Sequence, residues 1–234
     1  MVQKLAVPIV TVDGPGGAGK GSVSQCLAQA LNWHLLDSGA LYRALAYSYL
    51  RHDGQKPYKI DVLLGCCQVL NLSFASGLAG EPPRVFQAAE EIGDIIRTEA
   101  MGSVASEIAA IPEVRQALLA WQQAFAQSPG LVADGRDMGT VVFPQALLKV
   151  FLTASAPERA RRRYNQLKEK GKDVSISGLL QEIEIRDARD VTRAHAPLLA
   201  AADAVILDTT HLSIAAVVME IQRLLAQRLE SLRG

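Results

Sequence analysis

Gly14-Pro15-Gly16-Gly17-Ala18-Gly19-Lys20 is the stretch of this sequence whose residue types and spacing point most directly to chemistry. It matches the first seven positions of the GxxxxGK phosphate loop. Glycines let a backbone turn around a phosphate with several N–H groups inward, and a helix starting at the loop's end adds a favourable partial positive charge. Lys20 then reaches the β- and γ-phosphates of a nucleoside triphosphate. The general pattern continues with Ser or Thr, whose hydroxyl ligates Mg²⁺. Here Gly21 takes that slot and Ser22 follows. A hydroxyl moved by one residue turns by roughly 100° around a helix, so Ser22 is a displaced candidate for the Mg²⁺ ligand. No Asn-Lys-x-Asp sequence accompanies the loop, which weighs against a guanine-reading switch.

A second group of candidates is rich in arginine. The chain has 16 arginines and 8 lysines, and half of the arginines lie between Arg136 and Arg193. The planar guanidinium fork suits phosphate oxygens, so Arg136, Arg159, Arg162 and Arg186 are candidate phosphate clamps. Asp134 ends an apolar stretch, where a phosphate-loop protein often keeps a metal-ordering carboxylate. His34, His52, His195 and His211 lack metal-ligand spacing and read as packing or surface residues. Cys26, Cys66 and Cys67 form neither a disulfide framework nor a CxxC motif, which points to reduced thiols and a cytoplasmic protein.

These residues need elements to hold them. Leu5 to Val12 reads as a buried strand with an irregular start at Pro8, and helical periodicity begins at Lys20. Trp33 to Leu36, Leu131 to Ala133, Leu147 to Leu152 and Ala204 to Leu207 read as further strands. Asp37-Ser38 signals the start of a helix to about Tyr49, and Pro112 that of one to Phe125. Pro157 opens an arginine-rich helix, a charged helix spans about Ser177 to Asp190, and an amphipathic one Ser213 to Leu232. Between about 57 and 102, Gly77, Gly80 and Pro82-Pro83 read as turns between short strands, followed by a helical stretch. Strands alternating with helices predict a doubly wound parallel sheet of the α/β class.

Net charge is zero, with 24 basic and 24 acidic side chains. A nucleic-acid partner usually demands a basic excess, so that class is disfavoured. No apolar run is long enough to span a bilayer, and the apolar N-terminal run passes into the glycine loop without a small-residue cleavage site.

Two further segments carry a family resemblance: Leu36-Asp37-Ser38-Gly39-Ala40-Leu41-Tyr42-Arg43 and Asp134-Gly135-Arg136-Asp137-Met138-Gly139-Thr140. With the Gly14 to Gly21 loop, the Arg193-Ala194-His195-Ala196-Pro197-Leu198 ending and the insertion ahead of Met101, the chain resembles the bacterial-type cytidylate kinases, a nucleoside-monophosphate kinase family of phosphate-loop proteins. The resemblance spans nearly the whole chain. Its one departure is Gly16, where that family usually has Ser. It implies a three-layer, doubly wound, five-stranded parallel sheet, with core segments at about 1–56, 103–156 and 194–234. An inserted monophosphate-binding lobe at about 57–102 and a helical lid at about 157–193 complete it. The implied reaction uses ATP and Mg²⁺ to phosphorylate CMP or dCMP. Lys20, Asp134, Arg136, Arg162 and Arg186 would serve the transfer, and Arg43 the acceptor phosphate. Ser38, Ser106, Arg115, Asp137, Asp190 and Arg193 would bind the acceptor's sugar or base. The implied protein is a monomer without nucleic-acid or membrane partners. Rival expectations are a UMP, shikimate or dephospho-coenzyme A kinase, or a regulatory nucleotide-binding switch.

Overall fold

The computed structural model describes residues 7–52, 54–75, 83–169 and 171–231. Strand β1 (Ile9–Asp13) is β-branched until Asp13 and buried from Val10 onward. Pro8 precedes it without a donor of its own, and its carbonyl accepts from Leu131 N at 3.0 Å. Helix α1 (Lys20–Leu31) starts straight from the glycine loop and ends at Asn32, whose left-handed backbone lets its N–H close on the Ala28 and Gln29 carbonyls. Strand β2 (His34–Asp37) leads into α2 (Ser38–His52), and Asp37 Oδ1 caps that helix by accepting from Ala40 N at 2.8 Å.

The insertion begins differently from its sequence expectation. A helix comes first, α3 (Ile60–Gln68), before strands β3 (Leu72–Ala75), β4 (Arg84–Gln87) and β5 (Glu90–Glu91). Gly65 obscures this helix in the sequence, yet a Cβ there would meet nothing within 4 Å, so the glycine costs only propensity. The expected turns at Gly77, Gly80 and Pro82, and the strand start at Leu5, lie outside the described residues. The short α4 (Gly93–Ile96) and α5 (Glu99–Ile108) follow, α5 capped by Thr98, whose hydroxyl accepts from Met101 N. Helix α6 (Pro112–Gln123) has Pro112 at its first position.

Strand β6 (Leu131–Asp134) is followed by a single turn of wider π helix over Met138–Val142, which nothing in the sequence pattern anticipates. Then come β7 (Leu148–Thr153), α7 (Ala156–Glu169), α8 (Ile176–Thr192), β8 (Val205–Asp208) and α9 (Ile214–Ser231).

The five strands β2-β6-β1-β7-β8 form one sheet, all pairs parallel, and β3-β4-β5 form a small antiparallel sheet. Alternate residues divide the large sheet's faces. Val10, Val12, Val132 and Val150 pack against Val23, Leu27, Val217 and Ile221 of α1 and α9. Leu131 and Ala133 turn the other way, to Leu36, Met138 and Phe143, with Leu119 and Phe125 packed behind them. A separate apolar cluster joins α2, α3, α5 and α6 to the small sheet around Leu45, Tyr49, Leu63, Val85, Ile108 and Leu118. Because all five strands run parallel, each ends at its C-terminal edge on the same side as the glycine loop.

Candidate functional site

The loop between β1 and α1 is shaped by contacts that do not depend on a ligand. Gly14 has φ +141°, and a Cβ there would stand 2.0 Å from the Leu152 carbonyl oxygen, so only glycine fits. Three loop carbonyls are taken: Pro15 O by Lys20 Nζ at 2.9 Å, Gly16 O by Arg159 Nη1 at 2.9 Å, and Ala18 O by Thr209 Oγ1 at 3.0 Å. Position 16, had it a Cβ, would lie 3.5 Å from Arg136 and 3.6 Å from Arg186 guanidinium nitrogens. Two cations from distant segments thus overhang a glycine cradle that already holds Lys20, a donor set suited to a polyphosphate.

Asp13, Asp134 and Asp37 terminate adjacent strands, since Val12 and Asp37 both pair with Asp134. Asp134 Oδ1 lies 4.0 Å from Lys20 Nζ. Burial pushes Asp134 up and Lys20 down from their ordinary values, with Arg136 lowering Lys20 further. The missing hydroxyl matters here. The Cβ position of Gly21 is 3.6 Å from Asp134 Oδ2, whereas Ser22 is exposed, one step around α1. Asp134 rather than Ser22 therefore stands beside the place where the general pattern puts its metal-ligating side chain. Asp13 is engaged elsewhere, with its two oxygens accepting from Met138 N and Gly139 N, each at 2.8 Å. Burial raises Asp13 to about 6.

A second group of polar residues is buried between α2, α6 and the segments after β6 and α8. Asp137 is buried and paired with an Arg115 guanidinium, and Arg193 Nη2 is 4.0 Å from its other oxygen. Arg115 is itself steadied by the Ala109 carbonyl at 3.1 Å. Ser38 and Tyr42, four residues apart, share one face of α2. Ser38 Oγ donates to Gln122 Oε1 at 2.9 Å. Tyr42 has Arg115, Asp137 and Arg193 as its charged neighbours. The Tyr42 hydroxyl and Arg193 Nη2 are buried without a hydrogen-bond partner among the described residues. Unpartnered buried donors of this kind suit a polar ligand.

Asp190 connects this cluster to the phosphate end. It accepts from Ser106 Oγ at 3.1 Å and from Arg136 Nε at 3.1 Å. Arg43, Arg136, Arg163 and Arg186 gather nearby, with Glu99 between them. Glu99 accepts from Arg163 Nε at 2.5 Å and lies 3.7 Å from Arg186. Burial, with Arg136 as a like-charged neighbour, lowers Arg186 and Arg43. This is the signature of cations crowded together short of anions.

Two of the expected clamps are placed otherwise. Arg159 is buried and fully engaged, with the Ala154 and Gly16 carbonyls and with Asp187 Oδ2 at 2.5 Å, so it braces the loop. Arg162 stands apart from the cluster, held by Glu158 at 2.9 Å and by the Thr209 backbone and hydroxyl, and it approaches the loop at Gly19 instead. His34 hydrogen-bonds to the Ser128 carbonyl, and the three cysteines are free. No helix among the described residues is long and apolar enough to cross a membrane.

The family model for cytidylate kinase matches residues 10–227. The chain belongs to the cytidylate kinase family. It is 54% identical over 221 residues to a cytidylate kinase of Pseudomonas putida strain W619, covering 94% of this chain and 96% of that protein. A cytidylate kinase of Nitrosococcus oceani is 55% identical over 215 residues, with 92% and 94% covered. Among solved structures, an uncharacterized protein from Eubacterium ventriosum superposes with a TM-score of 0.50 at 13% identity, covering 94% and 98% of the two chains, a likeness of fold alone.

For a cytidylate kinase family member, three residues beyond the sequence expectations stand out. Asp13 anchors the π-helical turn, Gln122 holds Ser38, and Glu99 joins two arginines. The only sequence signal among them is Asp13, the last residue before the loop. Gln122 and Glu99 sit on otherwise plain helices.

Proposed function

We propose that the protein transfers the γ-phosphoryl group of ATP to CMP or dCMP, giving ADP and CDP or dCDP. The observation that carries this reading is the linking of a glycine loop and a buried polar cluster through one set of cations. Arg136 and Arg186 stand over Gly16 of the loop that carries Lys20, and Arg136 also reaches Asp190, which lies near the buried Asp137–Arg115–Arg193 cluster. Family membership supports it from an independent direction.

In this reading Gly14 to Gly21 embrace the donor phosphates, and Lys20 with Arg162 steadies them. Arg43, Arg136 and Arg186 hold the acceptor phosphate and the charge that develops during transfer, where positioning and neutralisation do most of the catalytic work. Ser38 and Asp137 meet the base, Arg115 and Arg193 support it, and Ser106 and Asp190 meet the sugar. Mg²⁺, carried in with ATP, would neutralise phosphate oxygens, and Asp134 is the protein group suited to hold it through water. The segment 57–102 acts with α2 as the acceptor lobe. The segment 157–193 acts as a lid whose closure excludes water and limits wasteful hydrolysis. We take the protein to work as a cytoplasmic monomer.

A panel of CMP, dCMP, UMP, shikimate and dephospho-coenzyme A with Mg-ATP, read as ADP formation, tests the assignment. CMP and dCMP are expected to dominate. A protein that favours UMP, or whose ATP hydrolysis ignores every acceptor, overturns it.

A further inference from the structure

Gln122 is buried in α6, 1% exposed, and neither the fold nor the phosphate chemistry requires an amide there. Its neighbours on that helix, Leu118 and Val114, are apolar core residues. Burying a carboxamide costs free energy unless its groups are hydrogen-bonded. Its Nε2 is 3.4 Å from the Leu118 carbonyl, which can only accept, so the amide nitrogen must face that way. Oε1 consequently faces Ser38, whose hydroxyl donates to it at 2.9 Å. Ser38 is the first residue of α2 and has no preceding helical turn whose carbonyl could take the proton instead.

A serine hydroxyl has one hydrogen and two lone pairs. With the hydrogen committed to Gln122, only lone pairs remain for a ligand. Resting on the pyrimidine-monophosphate reading above, we propose that Gln122 is a positioning residue for base selection. It takes the Ser38 hydrogen, so that Ser38, together with the acceptor-only carboxylate of Asp137, offers the base two acceptors and no donor. A cytosine presents an exocyclic amine with two hydrogens, one for each acceptor. A uracil presents a carbonyl oxygen at the same place, and three acceptors then face one another unsatisfied. Leaving buried polar atoms unpaired in this way discriminates by about tenfold or more. Burial raises the Asp137 carboxyl, and the ion pair with Arg115 works against this by favouring the ionised form.

The test compares kcat/KM for CMP and UMP in the wild type, Gln122→Met, Ser38→Ala and the double variant, with Mg-ATP saturating. Methionine matches glutamine in length but offers no comparable acceptor. The CMP-to-UMP ratio is expected to fall about tenfold in Gln122→Met, with the KM for ATP unchanged. In the Ser38→Ala background the same substitution should leave the ratio nearly unmoved, because its effect passes through the hydroxyl. Equal losses for CMP and UMP, or the same ratio change with and without Ser38, overturn the proposal. Where Gln122→Met fails to fold, a neutron structure of the wild-type protein decides. A deuteron between Ser38 Oγ and Gln122 Oε1 supports the assignment, and one directed into the pocket refutes it. The two readings fail separately: a wild type that prefers UMP sinks the acceptor assignment, while one that prefers CMP with an unchanged ratio in Gln122→Met sinks only the role of Gln122.

Discussion

Lys20 shows how closely fold and chemistry share single residues. Its ammonium is buried, tied to the Pro15 carbonyl and set near Asp134, so it holds the loop before any phosphate arrives. Lys20→Met should lower kcat by about two to three orders of magnitude, as removal of a preorganised electrostatic group does elsewhere. Circular dichroism should remain native, and turnover within a few-fold of wild type would contradict the role. Adjacent glycines differ sharply in what they tolerate. Gly14→Ala drives a Cβ into the Leu152 carbonyl and should abolish soluble expression, whereas Gly16→Ser meets only ordinary contacts at 3.5 Å and should fold normally with near-native activity. Asp13 brings a pH dependence. Its folded value near 6 exceeds the unfolded value of 3.8, so the native state keeps the proton longer than the unfolded chain does. The associated stability is present below about pH 4 and lost as pH rises through 6. Melting temperatures of wild type minus Asp13→Asn should therefore decline across that interval. A flat difference would show that the carboxyl is ionised in both states.

At the level of elements, the lobe and the lid meet through Glu99, the first residue of α5, which faces Arg163 of α7 and Arg186 of α8. The three side chains are partly exposed, so the contact is worth on the order of 1 kcal/mol. Glu99→Gln removes a carboxylate that both cations face. The unliganded protein should melt a few degrees lower, and ADP with CMP should raise its melting temperature by more than in the wild type, since phosphates then supply the missing charge. Scanning calorimetry with and without both nucleotides measures this, and an unchanged ligand-induced shift would argue that Glu99 has no electrostatic part. Such bridges are beyond the reach of sequence pattern. The glycine loop is legible because its requirements are local, and the helix starts at Asp37 and Pro112 because caps are local too. The partners Ser38 and Gln122 lie 84 residues apart, and Asp13 and Met138 lie 125 apart. No periodicity encodes such pairs, and the acceptor residues Arg115, Asp137 and Arg193 are accessible only by family resemblance. Gly65 hides helix α3, and nothing in the sequence distinguishes Arg159 as a brace from its clamp-like neighbours, because the Gly16 carbonyl that occupies it is 143 residues away.

Over the whole molecule, three apolar clusters share the work of stability: one on one face of the large sheet, one tying α2, α3, α5 and α6 to the small sheet, and a smaller one on the large sheet's other face. Leu118 sits in the second, 1% exposed, one turn before Gln122. Leu118→Ala should cost about 2–5 kcal/mol in urea unfolding. Because α6 also carries Arg115 and Gln122, the KM for CMP should suffer more than the KM for ATP, and equal effects on both would argue against an independent acceptor side. The zero net charge takes on meaning beside the internal partners of the arginines. Asp190 and Glu99 already occupy guanidinium groups before any nucleotide enters. Capture of a nucleotide is then partly an exchange of one set of counter-ions for another at contact range, and partly the filling of a local deficit of anions around Arg43, Arg136 and Arg186. Part of the energy released on docking goes into displacing carboxylates from their arginines, leaving acids such as Asp190 available to receive the ligand's hydroxyl groups.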